Sequence, residues 1–145
     1  MLKLMGQGLL GFILLINSVW AESWFVTDWR KQAAAGDVNA QWQLGLALAN
    51  GRGVEKNDAE AVQWIRKAAE QGEVTAQINL GIAYAQGDGV PQNLSEAYLW
   101  WQVASDLGNE TAAENLKVIK KLMTAEQITQ ATRLARVQLK KLPKK

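Results

Sequence analysis

From residue 38 onward apolar side chains recur at helical spacing. Ala40, Leu44, Ala47 and Leu48 stand at i, i+4, i+7 and i+8, on one side of an α-helix, and predict a helix over Val38–Asn50. Ala61, Trp64, Ile65 and Ala68 follow at i, i+3, i+4 and i+7 and predict a second helix over Asp58–Gln71. Both stripes then return. Ala76, Leu80 and Ala83 repeat the first over Val74–Gln86, and Ala97, Trp100, Trp101 and Ala104 repeat the second over Leu94–Leu107. Helices of about 13 residues are marginal alone in water, so hairpin must bury against hairpin for any of them to persist.

Punctuation between the stripes agrees. Gly51 and Gly87 end the first helix of each pair at a position that favours positive φ, and Gly72 and Gly108 end the second. Asn57-x-x-Glu60 and Asn93-x-x-Glu96 place a capping amide before each second helix with an acid three residues on, close to a capping box. Val54 and Val90, behind Gly53 and Gly89, are expected to turn back into the core. Gly45 and Gly81 lie inside a helix, where glycine costs about 1 kcal/mol relative to alanine. The expected compensation is close approach of each first helix to its own partner.

Shifting Ala40–Thr75 by 36 residues superposes it on Ala76–Thr111 with sixteen identities, including both glycine pairs, Asn57/Asn93, Glu60/Glu96 and Trp64/Trp100. A fixed period of that length marks stacked supersecondary units whose terminal copies depart from the pattern. Residues 22–36 read as an N-terminal capping helix with Trp24, Phe25 and Trp29 covering the open end, 37–72 as repeat 1 and 73–108 as repeat 2. Residues 109–145 read as a C-terminal capping hairpin and basic tail: Ala112 and Leu116 keep the period, but Lys117 replaces the glycine. Thr124-x-x-Gln127 is a capping box for a last helix over Ala125–Lys141, with Ile128, Ala131, Leu134, Ala135 and Leu139 on its inner stripe and a frayed Leu142–Lys145 beyond.

The pattern A-x-x-x-LG-x-x-x-x-x-G-x-GV-x-x-N-x-x-x-A-x-x-W-x-x-x-A-x-x-x-G, carried by Ala40–Gly72 and again by Ala76–Gly108, resembles the Sel1-like repeat, a subclass of the tetratricopeptide-type repeats. The resemblance implies an all-α fold, a right-handed α-solenoid of antiparallel helix pairs with about seven helices. It also implies adaptor and scaffold roles in signalling, secretion and envelope processes. Some secreted members tie each hairpin with a disulfide and have been described as binding penicillin. This chain has no cysteine.

Composition narrows the chemistry. With no cysteine and no histidine, disulfides, thiol nucleophiles, ordinary zinc sites and every histidine-based triad are absent from the chain. Glu55, Asp58 and Glu60 sit at a turn and a helix start, where capping and the helix dipole account for them. Gly51-Arg52-Gly53 and Gly87-Asp88-Gly89 follow no strand and precede no Gly-Lys-Ser/Thr, so they read as turns. Trp64, Trp100 and Trp101 fall on packed stripes and read as core. No catalytic residue, cofactor or metal is expected.

The formal charge of +2 hides a division: Glu22–Leu116 holds six basic and thirteen acidic residues, a balance of −7, and Lys117–Lys145 holds nine basic residues against Glu126, a balance of +8. Such asymmetry bears on partners rather than on fold. The basic end around Arg133, Arg136 and Lys140 offers a weak contact for an acidic partner or lipid. Met1–Ala21 has an early cation at Lys3, an apolar run Leu9–Ile16 and Val19-Trp20-Ala21 at its end, the form of a secretory signal peptide cleaved after Ala21, with an uncleaved anchor as the alternative. The expected location is the periplasm or outside the cell. A nucleic-acid partner is not expected there, nor a stable membrane span after cleavage.

Helical phase points to a partner surface. At 100° per residue, Ala40, Leu44, Ala47 and Leu48 face one neighbour and Trp42, Gly45 and Ala49 another, leaving Gln43, Leu46 and Asn50 as an open strip. The period carries the strip to Asn79, Ile82 and Gln86, and onward to Asn115, Val118 and Leu122. A mixed polar row with one aliphatic per repeat suits a protein or peptide partner lying along the stack. The leading expectation is thus a non-catalytic interaction module. An immunity-type protein neutralising a secreted toxin is the alternative, and an envelope hydrolase acting on peptidoglycan or β-lactams is a third reading.

Overall fold

The structure, a computed structural model, describes residues 23–144, and the stretch 1–21 that the sequence reads as a signal peptide lies outside that range. Seven α-helices and no strand occur among the described residues: α1 (23–34), α2 (Val38–Asn50), α3 (Asp58–Glu70), α4 (Val74–Gln86), α5 (Leu94–Asp106), α6 (Glu110–Ile119) and α7 (Ala125–Lys141), with a short 3₁₀ turn at Lys120–Leu122. Helix α2 packs on α3 and α4 on α5, α3 meets α4, α5 meets α6, and α7 closes on α5. The fold is all-α, an α-solenoid of antiparallel pairs.

Helices α2 to α7 each begin where a side chain can satisfy their first free N–H groups. Asp37, Glu73 and Asn109 cap α2, α4 and α6, while Asn57, Asn93 and Thr124 cap α3, α5 and α7. Thr124 and Gln127 form the reciprocal box expected of them. Glu60 does not return to Asn57. Its carboxylate accepts from Arg30 of α1 at 2.5 and 3.3 Å and from the Trp64 indole at 3.2 Å, so the acid ties two successive helices instead of closing its own cap. The hydrogen bond from Arg30 holds the Glu60 carboxyl below its ordinary range, against the opposing effect of burial, and correspondingly raises Arg30.

Gly51 and Gly87 take φ of 65° and 79° and return their N–H groups to Ala47 and Ala83. Inside the helices, a Cβ at Gly45 would stand 2.6 Å from Ile65 Cγ1, and one at Gly81 would enter the ring of Trp101. Each first helix therefore approaches its own partner through glycine, with Ile65 or Trp101 filling the space. Two buried amides fasten each repeat to the preceding helix: Gln41 Nε2 donates to the Ala33 carbonyl at 3.2 Å, and Gln77 Nε2 to the Ala69 carbonyl at 3.1 Å.

The core forms two adjoining clusters, one built on α1, α2 and Ala61, the other running from α3 to α7. Several expectations change here. Val26 and Ala33 close the N-terminal end, whereas Trp24 and Phe25 are exposed and Trp29 is partly buried. Trp64 is only half-buried, with Lys67 Nζ 4.1 Å from its ring centre, while Trp100 at the equivalent position is buried. The difference follows from α7: α5 is packed by α4, α6 and α7 together, and Ala97 to Trp101 are all buried. On α7 the seam is narrow, Ala131 and Ala135 with Ile128 and Leu139 at its edges, so Leu134 faces out. Leu142, expected to fray, packs against the core.

Candidate partner-binding groove

Two concavities open beside the first helices of the repeats. The first, of about 200 Å³, is lined by Phe25 and Trp29 from α1, Gln43, Leu46 and Ala47 from α2, and Arg52 from the following turn. The second, of about 340 Å³, contains Ala61 and Ile65 from α3, Asn79, Ile82 and Ala83 from α4, and Asp88 from the next turn. Adding 36 to each of the six residues that line the first gives six of the twelve that line the second. The same site is thus built twice, with the preceding second helix as floor, the first helix as wall and the Gly-x-Gly turn as rim. Leu46 lines both, and Ala49 and Asn50 carry the wall of α2 into the second concavity.

The glycines place the rim residue. With Gly51 and Gly87 in left-handed geometry, the Arg52 and Asp88 N–H groups return to the Ala47 and Ala83 carbonyls at 2.9 and 3.0 Å, which anchors both turns at the helix end. Gly89, at φ +70°, lies against the Asp58 backbone carbonyl with no room for a Cβ, so the second turn is seated on the start of α3.

Of the strip read from helical phase, Leu46, Asn50, Asn79 and Ile82 come together in the second concavity and Gln43 in the first. Gln86 is exposed at the end of α4 but lines neither. The aliphatic row continues outward: Ile82 is 36%, Val118 64% and Leu122 69% exposed. Gln43 and Asn79 make no side-chain hydrogen bond among the described residues, whereas Asn50 donates to the Leu46 carbonyl at 2.9 Å. The side chains that phase reasoning on one helix left out are Phe25, Trp29, Ala61 and Ile65 in the floors and Arg52 and Asp88 at the rims. Extending the period to the turns and to the preceding helix would have found them.

The chemistry available is that of contact. An apolar floor with free amides and charges at its rim can hold side chains and pair with backbone groups. Among the described residues there is no cluster of acids able to hold a metal ion and no helix long and apolar enough to cross a membrane.

Antiparallel helix pairs repeated every 36 residues and stacked on one core define an α-solenoid of short-repeat type. The Sel1 repeat profile matches residues 38–73 and 74–109, and the chain is a Sel1 repeat protein. A protective antigen present in uropathogenic Escherichia coli strains, displaying an SLR fold, is similar at 41% identity and a TM-score of 0.77 over 80% of this chain and 25% of its own. A Sel1 repeat protein from Oxalobacter formigenes is similar at 35% identity and a TM-score of 0.62 over 70% of this chain and 28% of its own. This chain therefore spans about a quarter of the length of those solved structures. No curated protein matches. Sel1 repeat proteins commonly mediate protein–protein interaction.

Proposed function

We propose that this protein is a non-catalytic adaptor of the periplasm or the secreted space, holding a protein or peptide along the groove beside α2 and α4. The observation that carries the reading is the duplication of the concavity at the repeat period, which offers a partner two equivalent apolar seats on one side of the stack. Extended concave surfaces of this kind are how solenoids present themselves to partners. The free amides of Gln43 and Asn79 suit the backbone of an extended chain, and Leu46 and Ile82 suit its side chains.

The test is the double substitution Asn79→Glu and Ile82→Glu. Neither side chain supports the core, since Ile82 is 36% exposed and Asn79 half-buried, so circular dichroism and the urea midpoint should stay near wild type. Recovery of the partner from envelope extract should fall by tenfold or more, roughly the loss expected on burying charge in an apolar seat. Undiminished recovery would move the site elsewhere, with the basic face of α7 around Arg133, Arg136 and Lys140 next to be tested.

A further inference from the structure

The two seats match in architecture and differ in charge. Arg52 stands at the rim of the first and Asp88 at the same place in the second. Neither has an ion-pair partner among the described residues. The other two charges of the second seat, Lys56 and Asp58, are paired with each other at 3.3 Å and so largely cancel. The rim therefore carries a free cation over the first seat and a free anion over the second, and Leu46 joins the two floors.

From this we propose, building on the groove reading above, that the occupant is an extended segment of a partner protein with unlike charges at its two ends: an acidic residue beside an apolar anchor at Arg52, and a basic residue beside a second apolar anchor at Asp88. The floors set the anchors. Phe25 and Trp29, stacked with ring centres 6.2 Å apart, floor the first seat of about 200 Å³, and Ala61 and Ile65, with Leu46 and Val62 beside them, floor the second of about 340 Å³. Charges at an exposed rim contribute little affinity individually but reject wrong partners by like-charge contact, so their function here is to set the orientation of the bound segment.

The experiment uses three fluorescein-labelled octapeptides, each with two leucine anchors, that differ only in their end residues: Asp and Lys, Lys and Lys, or Asp and Asp. Fluorescence anisotropy at low salt is read for the wild-type chain, Arg52→Asp, Asp88→Arg and the swapped double variant. Both positions are exposed turn residues, so all four proteins should fold alike. The wild type should prefer the Asp/Lys peptide by about three- to tenfold, a preference that shrinks as salt rises. Arg52→Asp should turn the preference to Lys/Lys, and Asp88→Arg to Asp/Asp. The swapped variant should return it to Asp/Lys. Because that variant has the same net charge as the wild type, long-range attraction is held constant and only the local poles are tested. A ranking left unchanged by the single variants would overturn the charged poles while leaving the groove to the Asn79/Ile82 test. Failure of all three peptides to bind the wild type would overturn the extended-segment occupant itself, and the pull-down would still decide whether this face takes a folded partner.

Discussion

Gly81→Ala puts the close approach of α4 to α5 to the test. The new Cβ would lie 2.6 Å from Trp101 Cδ1 and 2.8 Å from Cε2, closer than real methyl groups approach, and Trp101 cannot swing aside: it is 7% exposed and its indole N–H donates to the Ile78 carbonyl at 3.0 Å. Helix propensity alone would favour alanine by about 1 kcal/mol. Against this stand about 1–3 kcal/mol for overpacking and about 1 kcal/mol for the disturbed indole hydrogen bond, leaving a net loss of about 1–3 kcal/mol. Urea denaturation followed by far-ultraviolet circular dichroism should show a lower midpoint with an unchanged slope, the mark of altered stability rather than altered compactness. A rescue sharpens the argument. Combining Gly81→Ala with Trp101→Ala removes the ring that the new methyl group meets, and the loss should be smaller than the sum of the singles by about 1 kcal/mol or more. A Gly81→Ala protein as stable as wild type would show that the glycine is not a packing position, and additive singles would show that Trp101 is not what fills it.

Two further outcomes are expected of the pairings between helices. Glu60 is depressed in the folded protein, so its contribution is present above the ordinary carboxylate range near 4.3 and is lost as pH falls through the folded value, with Arg30 charged throughout. Glu60→Gln should therefore lower stability by less than about 1 kcal/mol at neutral pH, given side chains 42% and 30% exposed, and the urea midpoints of the two proteins should converge as pH falls through the depressed Glu60 range; a gap that persists in stronger acid would exclude the ion pair as its cause. Leu107→Gln should stabilise by about 1 kcal/mol, because Gln71 donates to Gln41 Oε1 at 2.7 Å in repeat 1 while the buried Gln77 Oε1 has no partner and Leu107 occupies the equivalent place on nearly the same backbone; an unchanged midpoint would mean that the new amide prefers water.

The ends of the helices were legible because each depends on one or two adjacent residues. Asn57, Asn93 and Thr124 cap through their own side chains, and glycine at 51 and 87 accepts a φ that other residues resist, so spacing alone placed α2, α4 and α7. Burial was less legible, because it depends on what arrives from elsewhere. Trp64 and Trp100 have the same stripe and period, and although Leu99 and Val103 give α5 an apolar face where α3 has Gln63 and Lys67, nothing in α5 says that α7 is the helix that covers it. Leu134 looked inward for the same reason: the stripe on α7 gave a direction, while the width of the seam is decided by the facing surface of α5.

The groove shows a more general limit of reading repeats by identity. Six positions line both seats: Phe25/Ala61, Trp29/Ile65, Gln43/Asn79, Leu46/Ile82, Ala47/Ala83 and Arg52/Asp88. Only Ala47/Ala83 is identical. The sixteen identities are concentrated in caps, turns and helix contacts, which must be the same in every copy for the copies to stack. What a partner touches is free of that demand, and an adaptor gains from making its seats unlike. Aligning the copies thus brings out the scaffold and pushes the site into the columns that disagree. Arg52 and Asp88 read as the middle residues of turns because no strand precedes them and no Gly-Lys-Ser/Thr follows, a test that asks nothing of the side chain between the glycines. In a two-repeat solenoid the informative comparison is therefore the reverse of the usual one. The matched columns locate the fold, and the mismatched columns that point into the same concavity locate the specificity.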